Sequence, residues 1–321
     1  MHDANNLRRR ILDGAYVKGI ENGEGLLHKH LGLKKQTVDY ALKKLEKEEL
    51  FLKTKYEIDL NVIGFTKFAW VLLGIDWTNY SVEKFITKLL SMPQVLTVAD
   101  VTGESDLAVK VFGPNRNNIS AFILELEKIF QGTIVDTKVL YENVEYKRHY
   151  IKVQDTPAYF PNKTDCIVLH EKMKSPKCTL NEIASRHRMH RNTVSNSWKK
   201  LWKRGIIVKE LPDLTQKGYD EIKKGLKAVI IIKPIPGNEE KIIQTLVKQK
   251  DIQDVFTTLS NEIVLMIRTE NSRTLADAHR LITKVDSSIR RTNTSIFLSK
   301  YNKTSLGLAE MKALLKSCKE A

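Results

Sequence analysis

Residues 190–200 read His-Arg-Asn-Thr-Val-Ser-Asn-Ser-Trp-Lys-Lys. At helical spacing His190, Arg191, Asn192, Ser195, Asn196 and Lys199 share one side, and Val194, Trp198 and Leu201 share the other. The first set suits recognition of a nucleic-acid surface better than bond-breaking. An arginine fits the O6 and N7 acceptors of guanine, and an asparagine pairs with adenine, each worth about 1–3 kcal/mol of discrimination. Thr193 and Lys200, on the flank of the same helix, are placed for phosphate oxygens, which position a protein without reading sequence.

The pattern occurs twice. Adding 156 to Thr37, Val38, Lys43, Lys44, Leu45 and Lys47 gives Thr193, Val194, Lys199, Lys200, Leu201 and Lys203. In the earlier copy the outward positions are Lys34, Lys35, Gln36, Asp39, Tyr40 and Lys43, with Thr37 and Lys44 in the phosphate positions. The two outward sets differ almost position by position. This predicts unequal half-sites on double-stranded DNA, the second copy supplying most of the affinity.

Each copy needs a scaffold. Leu7, Ile11, Leu12 and Ala15 predict a first helix and Leu26–Leu31 a second; the turn Leu31-Gly32-Leu33 leads into a third, Lys35–Glu48. Leu50–Ile58 alternates and is expected to fold back as a small hairpin, the wing. The programme restarts with helices at Asp165–Lys174, behind the capping box Thr179-Leu180-Asn181-Glu182, and at Arg191–Arg204. Trp198 occupies the core slot of Leu42, and Trp202 replaces Glu46, where it can pack on the wing.

After each unit the order strand, helix, strand, strand, helix, strand predicts a ferredoxin-like βαββαβ sandwich. The first strands, Phe68–Leu73 and Ala228–Ile232, are apolar at every position and so need cover on both faces, which two sheets facing each other would provide. The expected class is α+β. Two winged helix-turn-helix domains (1–63 and 164–222) alternate with two sandwiches (64–148 and 223–303) that pair as an intramolecular pseudo-dimer, with a linker at 149–163 and a terminal helix at 304–321.

Charge is uneven. The net charge is +15; residues 1–156 hold 22 Lys/Arg against 21 Asp/Glu, residues 157–321 hold 31 against 17, and residues 160–209 hold 12 against 3. The excess therefore lies on the second copy, as a polyanion partner requires. No run reaches the roughly 18–20 apolar residues of a membrane helix. Cys166, Cys178 and Cys318 show no paired spacing and no charged-apolar-small leader precedes the fold, so a reducing, cytoplasmic, nucleoid-associated location is expected. No phosphate loop, dinucleotide fingerprint or nucleophile elbow is present, so no cofactor, catalytic residue or enzymatic role is expected. His187, His190 and Cys178 lack a fourth ligand, and no metal is expected there.

With Thr193-Val194, Leu201, Gly205-Ile206-Ile207 and Val101-Thr102-Gly103-Glu104-Ser105-Asp106 in this order, the chain resembles two fused copies of a leucine-responsive/AsnC family regulator. That resemblance implies a transcription factor whose sandwich dimerises through its sheet and binds amino acids or related effectors. Gly103, Glu104, Ser105 and Asp106 are the candidate effector residues: Gly103 allows amides to approach a carboxylate and Asp106 can hold an ammonium group, or Asp106 can instead cap a strand turn. Higher assembly, as homo-oligomers of pseudo-dimers, is compatible with this arrangement.

The copies depart from the family pattern. Arg188 replaces the turn glycine Gly32, at a cost of about 1 kcal/mol in a left-handed turn. Glu49 stands where Gly205 opens the second wing, and Lys34 and His190 stand where a capping serine is usual, leaving amides there to find other partners. Thr258–Glu262 has lost the glycine turn, so paired effector sites are not expected. A rival reading is a siroheme-decarboxylase-like enzyme, for which Tyr141, Tyr146, His149 and Tyr150 are the acid-base candidates between the sheets. A third is a sequence-tolerant, chromatin-like DNA binder.

Overall fold

The computed structural model describes residues 2–22, 25–78, 80–147, 159, 161–285 and 289–302. The terminal helix expected at Leu306–Lys316 and most of the 149–163 linker lie outside these residues. The chain forms two units. One combines residues up to 64 with 159–225, the other 65–147 with 226–302.

In the first unit, α1 (His2–Lys18), α2 (Leu27–Leu31) and α3 (Lys35–Lys47) precede strand β3 (Phe51–Ile58), with a short hairpin β1 (Glu21–Asn22) and β2 (Gly25–Leu26) between α1 and α2. The second half supplies α6 (Lys163–Lys174), α7 (Leu180–Arg186), α8 (Arg191–Lys203), β8 (Ile207–Leu214) and α9 (Gln216–Glu221). Ile11, Leu12 and Ala15 of α1 pack inward with Val38 and Leu45 of α3, while Val194 and Leu201 of α8 are buried in the second half. The capping box at Thr179 and Glu182 forms as the sequence indicates.

The wing hairpin expected at Leu50–Ile58 does not form. β3 is a single strand that pairs antiparallel with β8, and the sheet order is β2-β1-β8-β3. Lys55 pairs with Leu211, which is its counterpart at an offset of 156, so the register is centred on equivalent residues. One strand from each half satisfies the other's backbone groups, and no fold-back turn is needed.

The backbone carries the strain foreseen at Arg188 and a second such position at Glu49. Gly32 lies at φ 66° and Arg188 at φ 52°, and Gly205 at φ 71° is matched by Glu49 at φ 59°. Arg188→Gly is therefore expected to raise the unfolding free energy of this unit by about 0.5–1 kcal/mol. Denaturant titration checks it, and an unchanged or lower midpoint would contradict the strain argument.

In the second unit the order is β4 (Lys67–Ile75), α4 (Val82–Ser91), β5 (Val95–Val101), β6 (Leu107–Gly113), α5 (Arg116–Ile129) and β7 (Ile134–Lys147). It is followed by β9 (Leu226–Pro234), α10 (Glu239–Leu246), β10 (Ile252–Thr258), β11 (Ile263–Thr269), α11 (Ser272–Val285) and β12 (Ile289–Asn302). The eight strands close into a barrel, β10-β11-β9-β12-β5-β6-β4-β7. The seams are β5 with β12 and β7 with β10. Alternation along β4 explains its continuous apolar run. Ala69, Val71 and Leu73 face a core with α4 and α5, whereas Trp70 and Leu72 enter the barrel interior with Val229, Ile231, Phe256 and Val264. The β9 strand divides in the same way between α10/α11 and the interior.

Candidate nucleic-acid interface and ligand-binding barrel

α8 begins at His190, whose backbone is extended (φ −69°, ψ 137°). Contrary to the expectation that this residue cannot cap, its Nδ1 accepts from the Asn192 amide at 3.3 Å, because the ring nitrogen reaches the same amide a serine oxygen would. Lys34 at the start of α3 makes no side-chain cap. His190, Arg191, Asn192, Thr193, Asn196 and Lys199 are exposed, and Ser195 is half-buried. In α3, Lys34, Lys35, Gln36, Thr37, Asp39, Tyr40, Lys43 and Lys44 are all exposed. Both helices thus present their polar sides outward.

Lys200 is placed differently from Lys44. Its Nζ lies 2.7 Å from Oδ2 of Asp165, a fully buried carboxylate that also accepts from Tyr159 Oη at 2.7 Å and Ser197 Oγ at 2.6 Å. Burial pushes the Asp165 carboxyl up, but hydrogen bonds from Lys200, Ser197, Tyr159 and the Asn162 amide outweigh it, and its pKa falls below the ordinary value. Trp198 and Trp202 meet each other edge to face at 6.1 Å, and both meet Tyr56 of β3, at 5.1 and 6.3 Å. His187 Nε2 is 3.0 Å from Glu171 Oε1. Among the described residues no group of three His, Cys, Asp or Glu is gathered for a metal, and no helix is long and apolar enough to cross a membrane.

The turn carrying Gly103, Glu104, Ser105 and Asp106 docks on β12. The Thr102 amide donates to Ile296 O at 2.9 Å, and Glu104 holds Arg291 at 3.0 Å and Asn293 at 2.7 Å. Asp106 Oδ2 accepts the Ile75 amide at 2.7 Å. Gly103 lies at φ 111°, where a Cβ would come within 3.1 Å of Ser295 Oγ. Among the acid-base candidates, Tyr141 is turned away from the barrel interior. It packs on the α4/α5 side and pairs with Ser120 Oγ at 2.9 Å, because Leu140 takes the inward position. Tyr146 is exposed, and His149 and Tyr150 lie outside the described residues.

The sequence reading missed a set of charges in the second unit. Lys110 is 3.3 Å from Glu142 and lies over the rings of Phe68 and Trp70. Lys227 stands opposite both Arg268 and Phe297 in the strand register, its Nζ 4.8 Å from the Phe297 ring centre. Arg268 is buried. A lone lysine within Leu107-Ala108-Val109-Lys110-Val111-Phe112 was the available signal. Burial, then Arg268, depresses the Lys227 amine; Asp254 opposes this, Lys110 adds to it, and the pKa comes to about 7.

An unfolded lysine titrates near ~10.4. Between pH 7 and that value the unfolded chain holds the extra proton, so stability rises with pH, and below 7 the full penalty is present. Lys227→Met is expected to flatten this slope and to stabilise the protein at pH 7 by on the order of 2 kcal/mol. Urea titrations at both ends of the window check it; an unchanged slope would refute the assignment.

Residues 71–149, most of β4 to β7, match the family model of the Lrp/AsnC ligand binding domain. In sequence the chain is similar to the HTH-type transcriptional regulator FL11 of Pyrococcus horikoshii, 25% identical over 116 residues, which is 35% of this chain and 76% of that protein. FL11 of Pyrococcus furiosus is 24% identical over 97 residues, 30% of this chain and 63% of that protein. Its relatives in sequence are thus regulators of the Lrp/AsnC type at low identity. In structure it is similar to the siroheme decarboxylase NirDL, with a TM-score of 0.57 and 12% identity over 92% of this chain and 91% of that one. This corrects the expectation that the chain has no enzymatic role. An enzyme has the same fold over nearly the whole length, so missing sequence motifs are no guide to whether chemistry occurs on it.

Proposed function

We propose that the protein is a sequence-specific DNA-binding transcriptional regulator, built as an intramolecular pseudo-dimer of two winged helix-turn-helix units and two ferredoxin-like sandwiches. The observation that carries this is the outward face of α8, where Arg191, Asn192, Asn196 and Lys199 are all solvent-exposed at the N-terminal half of a third helix. The register of β3 on β8, centred on equivalent residues, supports a fixed separation of the two reading helices. In this reading the Gly103–Asp106 turn is where a small effector such as an amino acid acts. Because Glu104 and Asp106 already hold β12 and β4, a bound effector would exchange these contacts for its own. Selection of bound DNA from a random pool is expected to return two unlike half-sites at one spacing. Recovery of unenriched sequence would instead support the chromatin-like reading.

A second reading rests on Lys110, Lys227 and Arg268. Lys227 and Arg268 are cross-strand neighbours, and Lys110 is close enough to affect the Lys227 amine. They suit a polycarboxylate, and the neighbour in structure has been solved with an iron-uroporphyrin III analogue. Titration with siroheme, followed by absorbance, tests it: a shifted band that Arg268→Met abolishes supports this use of the barrel, and an unshifted spectrum removes it.

A further inference from the structure

The two sandwiches differ where their helices cover the sheet. Helix starts align Arg116 with Ser272, so Phe122 of α5 corresponds to Ala278 of α11, and Val82 with Glu239, so Met92 corresponds to Gln249. In the first sandwich Phe122 and Met92 are buried, and Phe85 and Phe130 stack 4.1 Å apart beside them. In the second sandwich the corresponding space is a cavity of about 270 Å³, partly open to solvent, walled by Leu246, Ile252, Ile267, Ala278 and Ile282. Replacing a phenylalanine by alanine and turning a methionine position into an exposed glutamine removes the side chains that fill the first sandwich.

Chemistry at the cavity restricts its occupant. The walls are aliphatic, and an apolar cavity of roughly 150 Å³ already accepts benzene. The larger space here suits two fused rings. Asp251, Asp277 and Gln249 stand at its edge, and Leu281, 56% exposed, extends the apolar surface outward. Asp277 already holds Arg280 at 2.9 Å and Lys147 Nζ donates to Gln249 O at 2.7 Å, so the edge carries both charge signs and offers acceptors to an N–H without selecting for a cation.

We propose that the cavity between α10 and α11 is a binding site for a small neutral bicyclic aromatic compound, its ring against Ala278 and its N–H toward the polar edge at Asp251 and Asp277. This site is separate from the Gly103–Asp106 turn, and its test involves no DNA, so it stands or falls apart from the reading above.

Indole, tryptamine and indole-3-acetate, titrated into the full chain and followed by ligand-observed NMR, are the probes. Indole is expected to bind, with tryptamine and indole-3-acetate, each of which brings a charge to aliphatic walls, weaker by at least about fivefold. Ala278→Phe, which rebuilds the first sandwich's filling, is expected to weaken indole by at least about tenfold while raising the unfolding midpoint. If that variant fails to fold, Ala278→Leu provides the same test with less bulk. No indole signal at millimolar concentration, or undiminished binding in a folded filled variant, overturns the site. Tryptamine or indole-3-acetate binding as tightly as indole overturns the assignment of a neutral ligand.

Discussion

Replacing Asp165 with alanine is expected to lower the unfolding midpoint of the first unit by about 10 °C, from a loss of about 3–5 kcal/mol. The carboxylate is fully buried and gathers Lys200, Ser197, Tyr159 and the Asn162 amide, so its removal strands several polar groups at once. Because its folded pKa is depressed, its contribution is present above about pH 4 and is lost as pH falls through the folded value. The variant should therefore show a flatter acid limb. Scanning calorimetry from neutral to acidic pH provides the measurement, and a shift under about 2 °C would contradict the network's importance. Lys200→Met completes the experiment. If the lysine belongs to Asp165, stability falls while the salt dependence of DNA binding is unchanged. If it contacts phosphate, the slope of log affinity against log salt falls by about one.

Arg191→Ala combined with Lys199→Ala is expected to reduce affinity for selected DNA about 100-fold and to shrink the salt slope by one to two units. Both side chains are exposed on α8, and no hydrogen bond ties either into the fold among the described residues, so the unfolding midpoint should not change. The matched pair in α3, Lys35→Ala with Lys43→Ala, should cost about tenfold or less, since the positions around it are Gln36, Asp39 and Tyr40 rather than Asn192, Ser195 and Asn196. Fluorescence anisotropy across salt concentrations separates the two. Equal losses from both helices would refute the asymmetry, and no loss from α8 would refute the interface.

Much of this could be read from local pattern. Helical spacing located α3 and α8 and separated Val194 and Leu201 from the outward residues, because burial on one helix face follows a 3.6-residue period whatever the partner. The left-handed backbone of Arg188 followed from its alignment with Gly32, since a turn's dihedrals are set by its hydrogen bonds more than by the residue occupying it. The continuous apolar run in β4 and β9 demanded cover on both faces, and the barrel provides it.

Other features depended on contacts between residues far apart in the chain. Lys44 and Lys200 are indistinguishable by local sequence, yet one is exposed and the other is 2.7 Å from a buried aspartate contributed by a different helix. The segment read as a hairpin, Leu50–Ile58, is instead one strand whose partner lies 156 residues away, because an edge strand takes whichever compatible edge the tertiary structure offers. Lys227 looked like a strand-end lysine until its neighbours on β11 and β12 showed an arginine and a phenylalanine beside it. Sequence by itself determined the helices, the repeated basic pattern and the left-handed turn at Arg188, which rest on short-range sterics and periodicity. Tertiary structure alone decided which charges are occupied, which edges join and where space is left between helices, since those depend on distances that no spacing along the chain encodes.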